Sequence, residues 1–306
     1  MTLIPCQCCG QELSETWNWY VCDYHQYGTY AYVAMILKKS ATRWGYLASV
    51  YVRSAPTQSS KCNHATTSTD YVLMPKNTIQ KQIVVIGDVH GLTTWKDIVK
   101  NHQGSQFVFL GDYCDPYEDI EPDELIKNLR SIIQFKKRHP NDVVLLLGNH
   151  DIHYLSDDFV TCTRYDERIA PRMKLILTSN RNLFQYAWQQ GKMLFTHAGV
   201  SDGWFRNEFR GDSSEDCSIA GQLNNPTPEQ YVTMGEVSFW RGGSYEYGGI
   251  FWADIYETKD NPLKGYHQFV GHSRVESIKS AKIDDETSIT YCDCLYNNQC
   301  LVIQTE

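Results

Sequence analysis

No stretch of this 306-residue chain is apolar for long enough to cross a bilayer as a helix, which takes about 18 or more residues. The longest apolar run near the start, Tyr30 to Leu37, is short and stops at Lys38-Lys39. The opening Met1-Thr2-Leu3-Ile4-Pro5-Cys6 has neither the positive charges nor the apolar centre of an export signal. Internal repeats and low-complexity tracts are also missing, so the chain reads as an ordinary globular protein, and its apolar content of 42% agrees. Eleven cysteines are an odd count without an export signal. They read as thiols in a reducing compartment, some of them holding metal, and the expected location is the cytoplasm.

Positive charge is scarce too, with 28 Lys and Arg against 36 Asp and Glu and a net charge of −8. It is also unevenly spread. Residues 1–80 carry Lys38, Lys39, Arg43, Arg53, Lys61 and Lys76 against Glu12, Glu15, Asp23 and Asp70, a net +2 that leaves the remainder near −10. A region that acidic repels a long polyanion. Extended nucleic acid is therefore disfavoured as a partner, and small or isolated anionic groups are favoured.

What the chain does have is five short motifs in one order. They are Gly87-Asp88-Val89-His90-Gly91, Gly111-Asp112-Tyr113-Cys114-Asp115, Gly148-Asn149-His150-Asp151, Thr196-His197-Ala198 and Gly271-His272-Ser273. Each of the first three follows an apolar run that reads as a buried strand: Ile83 to Ile86, Phe107 to Leu110, Val143 to Leu147. The carboxyl ends of such strands are where open α/β sheets place their ligands. Taken singly, a Gly-Asp pair is a turn and a buried His is a core residue. Five such motifs in order are hard to explain as turns.

The residue types suit one task. Two Asp, one Asn and three His are oxygen and imidazole ligands for a pair of divalent cations. Such a pair, about 3.5–4 Å apart, clamps the attacking and leaving oxygens of a phosphoester displacement and acidifies a water between them. Asp112 is the natural bridging carboxylate. Asp88 and His90, two apart on an extended strand end, point to the same side and can share the first metal with it. Asn149, His197 and His272 would complete the second. His150, adjacent to a ligand, is then left to protonate the leaving oxygen.

The order and spacing of these motifs resemble the calcineurin-like metallophosphoesterases over roughly Gln82 to Cys300. Gly91 after His90 makes the chain most similar to the phosphoprotein phosphatase branch, which includes the lambda phage phosphatase and the dinucleoside polyphosphate hydrolases. The resemblance implies a central β-sandwich flanked by helices, an α/β fold. It implies the same six metal ligands, His150 as general acid, and Asp115 as the carboxylate that orients it. Phe251-Trp252-Ala253-Asp254 resembles a Trp-Ala-Asp segment between the two late His motifs of that branch. Mn²⁺ is the first choice of metal, with Fe, Zn or Mg as alternatives.

Two positions depart from the branch. Its second motif usually ends Asp-Arg-Gly, the Arg gripping phosphate, where this chain has Asp115-Pro116-Tyr117. Its third motif usually ends in Glu, where this chain has Asp151. Another arginine must then hold the phosphate. Arg241, in Phe239-Trp240-Arg241-Gly242-Gly243, is the first choice, with Arg164 and Arg274 in reserve.

The organisation changes near residue 80, giving an expected zinc-finger-like segment and linker over 1–80 and a catalytic domain over 81–306. Cys6, Cys9, Cys22 and His25 form a C-x₂-C pair, a gap of twelve residues, and a C-x₂-H pair. That is the layout of one structural Zn²⁺ site. Cys8 could replace a member of the first pair, and Cys62 with His64 could form another. Alternating aromatic residues suggest strands at Tyr30–Val33 and Tyr46–Val52. They read as a small aromatic-cored sheet more readily than as a base-stacking surface. Ala55 to Thr69 reads as a loop.

In the remainder, helices are expected at Thr93–Asn101, Pro122–Arg138 and Asn182–Gln190, and after the capping box Thr227-Pro228-Glu229-Gln230. Ser288–Leu295 and Cys300–Ile303 flank Asn297-Asn298, a hairpin signal. Asp202–Asn225 is expected to be a polar surface loop near the site mouth. His102 and His139 fall at helix ends, and His267 reads as structural. The leading function is hydrolysis of phosphomonoesters, on phosphoprotein or a small phosphorylated metabolite. The alternatives are a phosphodiesterase, nuclease or dinucleoside polyphosphate hydrolase with the same metals, or a binding protein with a vestigial core.

Overall fold

A computed structural model of the chain describes residues 82–214 and 217–305 in full, and before them the backbone of four strands. The chain divides into two compact units, Met1–Pro75 and Lys76–Glu306. In the first, strands β1 (Ser14–Thr16), β2 (Trp19–Val21), β3 (Tyr32–Ser40) and β4 (Arg43–Tyr51) pair antiparallel in chain order. The strands expected at Tyr30–Val33 and Tyr46–Val52 overlap β3 and β4, the first only at the start of β3. Cys6, Cys9, Cys22 and His25, and the loop expected over Ala55–Thr69, lie outside the described residues.

The second unit is a sandwich of two five-stranded sheets. One sheet carries β5 (Ile83–Ile86), β6 (Gln106–Phe109), β7 (Val143–Leu146) and β8 (Phe184–Gln185) in parallel, with β14 (Leu301–Ile303) antiparallel on the β5 edge. The other runs β12-β13-β11-β10-β9, with β9 at Ala187–Gln190, β10 at Met193–Thr196, β11 at His267–Arg274, β12 at Lys279–Lys282 and β13 at Ser288–Asp293. The continuous apolar runs of β5 to β7 follow from burial on both faces. Ile83, Val85, Val108, Val144 and Leu146 pack toward Phe195 and Cys292 of the opposite sheet. Val84, Ile86, Phe107, Phe109, Val143 and Leu145 belong to the larger core shared with the helices.

Helix α1 (Trp95–Asn101) and helix α2 (Pro122–Arg138) follow the first two motifs. Helix α2 has Pro122 in its first turn, acids at its start, bases at its end, and buries Leu125, Leu129 and Ile132 along one stripe. His102 and His139 stand at the C-caps of these two helices, as expected. Helix α3 (Asn149–Leu155) begins on the third motif, and α4 (Ala170–Ser179) packs beside it. Helices α5 (Ile219–Asn224), α6 (Pro228–Thr233) and α7 (Ile255–Thr258) are short. The Thr227–Gln230 capping box opens α6 as the sequence indicates. Among the described residues no helix is long and apolar enough to cross a membrane.

Three expectations are corrected. Asn182–Gln190 is a 3₁₀ turn, Arg181–Leu183, followed by the edge strands β8 and β9. The alternation of Phe184, Tyr186 and Trp188 is a strand period, and it overrides the helix formers around it. Ser288–Asp293 and Leu301–Ile303 do not form a hairpin, because β13 and β14 belong to different sheets. The turn at left-handed Asn298 (φ 59°) carries the chain from one sheet to the other. Asp202–Asn225 is no surface loop: it holds a π-helical turn, Trp204–Glu208, and α5, and it buries Trp204, Phe205 and Phe209. None of its described residues lines the cavity that holds the motifs.

Candidate metal centre

The five motifs converge at one edge of the sandwich. Asp88 and His90 follow β5, Asp112 follows β6, Asn149 opens α3 after β7, and His197 follows β10. His272 lies inside β11 where its register against β13 shifts between Val270 and Arg274. Such an irregularity re-aims a side chain. Two groups of donor atoms come together, Asp88 with His90 and Asp112, and Asp112 with His197 and His272. Asp112 belongs to both. Its Oδ2 lies 3.6 Å from His90 Nε2 and 3.5 Å from His197 Nε2.

Hydrogen bonds fix which nitrogens face inward. His90 Nδ1 donates to the carbonyls of Cys114 and Asp115, and His197 Nδ1 donates to that of Leu110. Both rings therefore turn an unprotonated Nε2 toward Asp112. Asn149 Nδ2 donates to Cys162 Sγ, which assigns its amide so that Oδ1 points at His197. His197 Nε2 and Asn149 Oδ1 are 2.8 Å apart, and His272 Nδ1 is 3.0 Å from the same oxygen. His272 Nε2 is buried without a hydrogen-bond partner among the described residues. His197 Nε2, its proton placed on Nδ1 by Leu110, meets Asn149 Oδ1 acceptor to acceptor, an arrangement that a cation satisfies.

The titration behaviour has the same cause. Burial, and then the neighbouring carboxylates, push Asp88 and Asp112 well above the usual carboxylate range. Burial, followed by the charge of His150, lowers His90 to about 4, and burial lowers His197 to about 3 and His272 well below its ordinary value. Neutral imidazoles are ready ligands. The crowded carboxylates are stable as anions only opposite positive charge. The residues present fit a pair of divalent cations.

The backbone is bent to deliver these groups. His90, Asp112, Asp115 and His272 all adopt left-handed φ values, between 41° and 58°. At Gly148 a Cβ would run into the Asp112 carboxylate and the His197 ring, and at Gly271 it would run into Asp88. Asp151 ties the second and third motifs together. Its carboxylate accepts the backbone N–H groups of Asp112, Tyr113 and Gly148 at 2.7, 2.9 and 2.9 Å.

Comparison with known proteins follows this geometry. Residues 81–280 match the family model described as calcineurin-like phosphoesterase. The chain belongs to that family. A serine/threonine-protein phosphatase, PP2A-like PPG1, of Candida albicans is 29% identical over 134 residues, which is 40% of this chain. The match spans only 30% of that relative's own length. Among solved structures, a point mutant of a cold-active protein tyrosine phosphatase aligns with TM-score 0.47 and 15% identity, covering 96% of this chain and 95% of that one. A protein serine/threonine phosphatase from Saccharomyces cerevisiae, with similarity to human phosphatase PP5, aligns at 0.42 and 14%, covering 71% and 68%. A metallophosphoesterase from Sphaerobacter thermophilus aligns at 0.37 and 15%, covering 69% and 75%.

Beside the donor atoms of this calcineurin-like phosphoesterase lies a matched hydrogen-bond network. His150 Nδ1 meets Asp115 Oδ2 at 2.8 Å, and Tyr154 Oη donates to Asp115 Oδ1 at 2.6 Å. His153 Nε2 stands 2.9 Å from the same Oδ2, and its Nδ1 accepts the Cys162 N–H. Burial raises the Asp115 pKa, but hydrogen bonds from His150, His153 and Tyr154 outweigh it and hold Asp115 below its ordinary value. Together they keep an anion behind His150.

A cavity of about 340 Å³ opens over this floor, lined by the candidate ligands, His150, Arg241 and Arg274 among others. Arg241 Nε pairs with Asp254 Oδ2 at 2.6 Å, and Nη2 donates to Ser273 Oγ at 2.8 Å. Asp254 belongs to the Trp-Ala-Asp segment, and Trp252 beside it meets the His272 ring edge-on at 5.8 Å. Arg164 does not line this cavity but stacks on Tyr117, which does. His267 bonds Ser288 within the sheet, as a structural residue would. Sequence reasoning missed Asp293, a buried carboxylate at the cavity that burial raises to about 6. It missed Tyr154 and Cys162 as well. No motif marks these three, because each reaches the site through a contact distant in sequence.

Proposed function

We propose that this phosphoesterase is a metal-dependent phosphomonoesterase acting on phosphorylated serine or threonine in proteins, or on small phosphorylated metabolites. The observation that carries the reading is the single oxygen of Asp112 flanked by two imidazole nitrogens, at 3.6 and 3.5 Å. Asp88, His90 and Asp112 would hold one divalent cation, and Asp112, Asn149, His197 and His272 the other. Mn²⁺ is the first choice. Bound there, the cations would supply charge neutralisation for the phosphoryl group and an acidified water as nucleophile.

The chain's own residues supply the rest. Arg241, fixed by Asp254 and Ser273, offers a charged donor to the phosphoryl oxygens. His150, with Nδ1 held by Asp115, presents Nε2 as the proton donor to the leaving alkoxide. Asp115, kept anionic by Tyr154 and His153, stabilises the protonated imidazole before transfer. The acidic charge of residues 81–306 disfavours polyanionic substrates. The name of the Candida relative is in keeping with phosphoserine and phosphothreonine substrates. A turnover screen of phosphomonoesters, phosphodiesters, dinucleoside polyphosphates and phosphopeptides with added Mn²⁺ tests this. Monoesters and phosphopeptides should lead, and a faster rate on diesters or dinucleoside polyphosphates would overturn the monoesterase reading.

We further infer that residues 1–80 form a separate segment stapled by one Zn²⁺ on Cys6, Cys9, Cys22 and His25, supported by their spacing. Zinc analysis of the full chain should fall by about one equivalent in Cys9→Ser, the content of one four-ligand site. Unchanged zinc would remove the cluster. The eleven cysteines favour the cytoplasm as its place.

A further inference from the structure

The mouth of the cavity carries an arrangement that the hydrolytic chemistry leaves unused. Tyr117 is 45% exposed, and its ring meets the His90 ring edge-on at 4.7 Å. The Arg164 guanidinium carbon lies 4.4 Å from the Tyr117 ring centre, and that of Arg274 lies 5.5 Å from it. Arg274 also stacks on Tyr296 at 3.7 Å. Stacking on a ring face holds a guanidinium in place while leaving its fork of N–H donors for a ligand.

Neither arginine has a carboxylate within ion-pair reach among the described residues. Arg164 donates to the Pro116 carbonyl at 3.1 Å, and Arg274 acts on Asp293 only at longer range. Arg274 lines the cavity itself, and the exposed Arg164 stacks on the same Tyr117 ring at its rim, in a catalytic region of net charge near −10. Arg164 is also held in a left-handed backbone conformation, φ 70°, directly after the cavity-lining Thr161, Cys162 and Thr163. That conformation costs a non-glycine residue about 1–3 kcal/mol and persists where the surroundings impose it. Glu118 and Asp293 line the cavity with Arg274, and Asp119 and Asp166 line the groove that holds Arg164, none of them within ion-pair distance of either guanidinium.

We propose that Tyr117, Arg164 and Arg274 form a second anion subsite, which takes a carboxylate or phosphate group borne by the substrate's leaving group. The subsite rests on the phosphomonoesterase reading and names its substrate class: phosphomonoesters whose alcohol carries its own negative charge. Such a group arises from an acidic residue beside a phosphoserine, or from an acid function on a small phosphorylated alcohol. The two sources share the same recognition, a planar anion against stacked guanidinium forks.

Matched pairs of substrates test it on the full chain with Mn²⁺. One pair is a phosphoserine peptide with Asp on both sides of the phosphoserine, against the same peptide with Asn. The other is 3-phosphoglycerate against glycerol 3-phosphate. The acidic member of at least one pair should lead in kcat/KM by about tenfold, the low end for a charged hydrogen bond. The pair that responds identifies the source. Arg164→Gln and Arg274→Gln should each reduce the preference, the double variant should abolish it, and Arg164→Lys should retain part of it. The ratio within a pair cancels any partial loss of folding or metal. Equal turnover within both pairs by the unaltered protein, or a preference that survives the double variant, overturns the subsite alone. Failure to hydrolyse any of the four substrates overturns the monoesterase reading, and the subsite with it.

Discussion

At the floor of the cavity Asp88, Asp112 and Asn149 are 1–3% exposed, whereas at the mouth Tyr117 is 45% exposed and Arg274 is open to solvent. The floor is carboxylate, amide and imidazole, set on strand ends and held by backbone bonds. The mouth is guanidinium and phenol, carried by loops and by the end of β11 and held by stacking. Buried groups on rigid elements can be aimed to a fraction of an ångström, which a cation pair requires. Exposed groups on loops can change without disturbing the sandwich. On the proposed reading the floor sets whether the reaction occurs, and the mouth on which molecule.

The sharpest way to break this division is Asp112→Asn. It replaces the carboxylate common to both donor groups with a neutral amide, so metal content and turnover should fall together. The loss should exceed the roughly 10–100-fold that removal of an outer partner costs a metal site. Metal analysis and kcat measured on the same sample check it, and full retention of both would remove Asp112 from the bridging role. Next in size is His150→Asn, expected to slow alkyl phosphates by about 10²–10⁴-fold, the range for a general acid. Bound metal should be unchanged and nitrophenyl phosphate largely spared, since its leaving group needs little protonation. Equal losses across leaving groups would end the assignment.

Arg241→Ala lies on the border between floor and mouth. Loss of a charged donor should lower kcat/KM by about 1–3 kcal/mol with metal retained. If it is silent while the arginines of the mouth are not, phosphate binding belongs to the mouth, and the division between the two regions blurs.

The smallest effect is one of stability. Burial raises Asp151 and Asp293 to about 6 in the metal-free protein, against about 3.9 in an unfolded chain. A carboxylate whose folded pKa is raised holds its proton more tightly when folded. Its contribution favours the folded state at low pH and is lost as pH rises from about 4 through about 6. Asp88 and Asp112 shift the same way, while Asp115, held low, and His90, His197 and His272, whose lowered pKa values cost stability as pH falls through about 6.5, run the other way. Asp293→Asn isolates one carboxylate: in chelator-treated protein it should raise the melting temperature more at pH 7.5 than at pH 5, by several degrees at roughly 2–4 °C per kcal/mol for a domain of this size. Restoring Mn²⁺ should remove most of that gain. An equal effect of Asp293→Asn at both pH values would mean that this buried carboxylate does not need the cations.

The same division explains how much could be read in advance. Strands β5 to β7 were legible because burial on both faces leaves unbroken apolar runs, and each donor triplet sits directly after one. The partners of those donors were not legible. Tyr154 reaches Asp115 across 39 positions, and Asp151 reaches Asp112 across the same distance in sequence. The π-helical turn at Trp204 has no 3.6-residue period to betray it. The stacks of Arg164 and Arg274 on Tyr117 join two loops and the end of β11, and only the folded chain brings those together.

The left-handed residues at His90, Asp112, Asp115 and His272 have a consequence for selection and for engineering. Each costs about 1–3 kcal/mol, out of the roughly 5–15 kcal/mol by which a domain stays folded. At these positions glycine would ease the backbone and destroy the chemistry. A library screened for thermal tolerance alone should therefore drift toward hardier, inactive sequences, losing side chains first at the turns that carry them into the site.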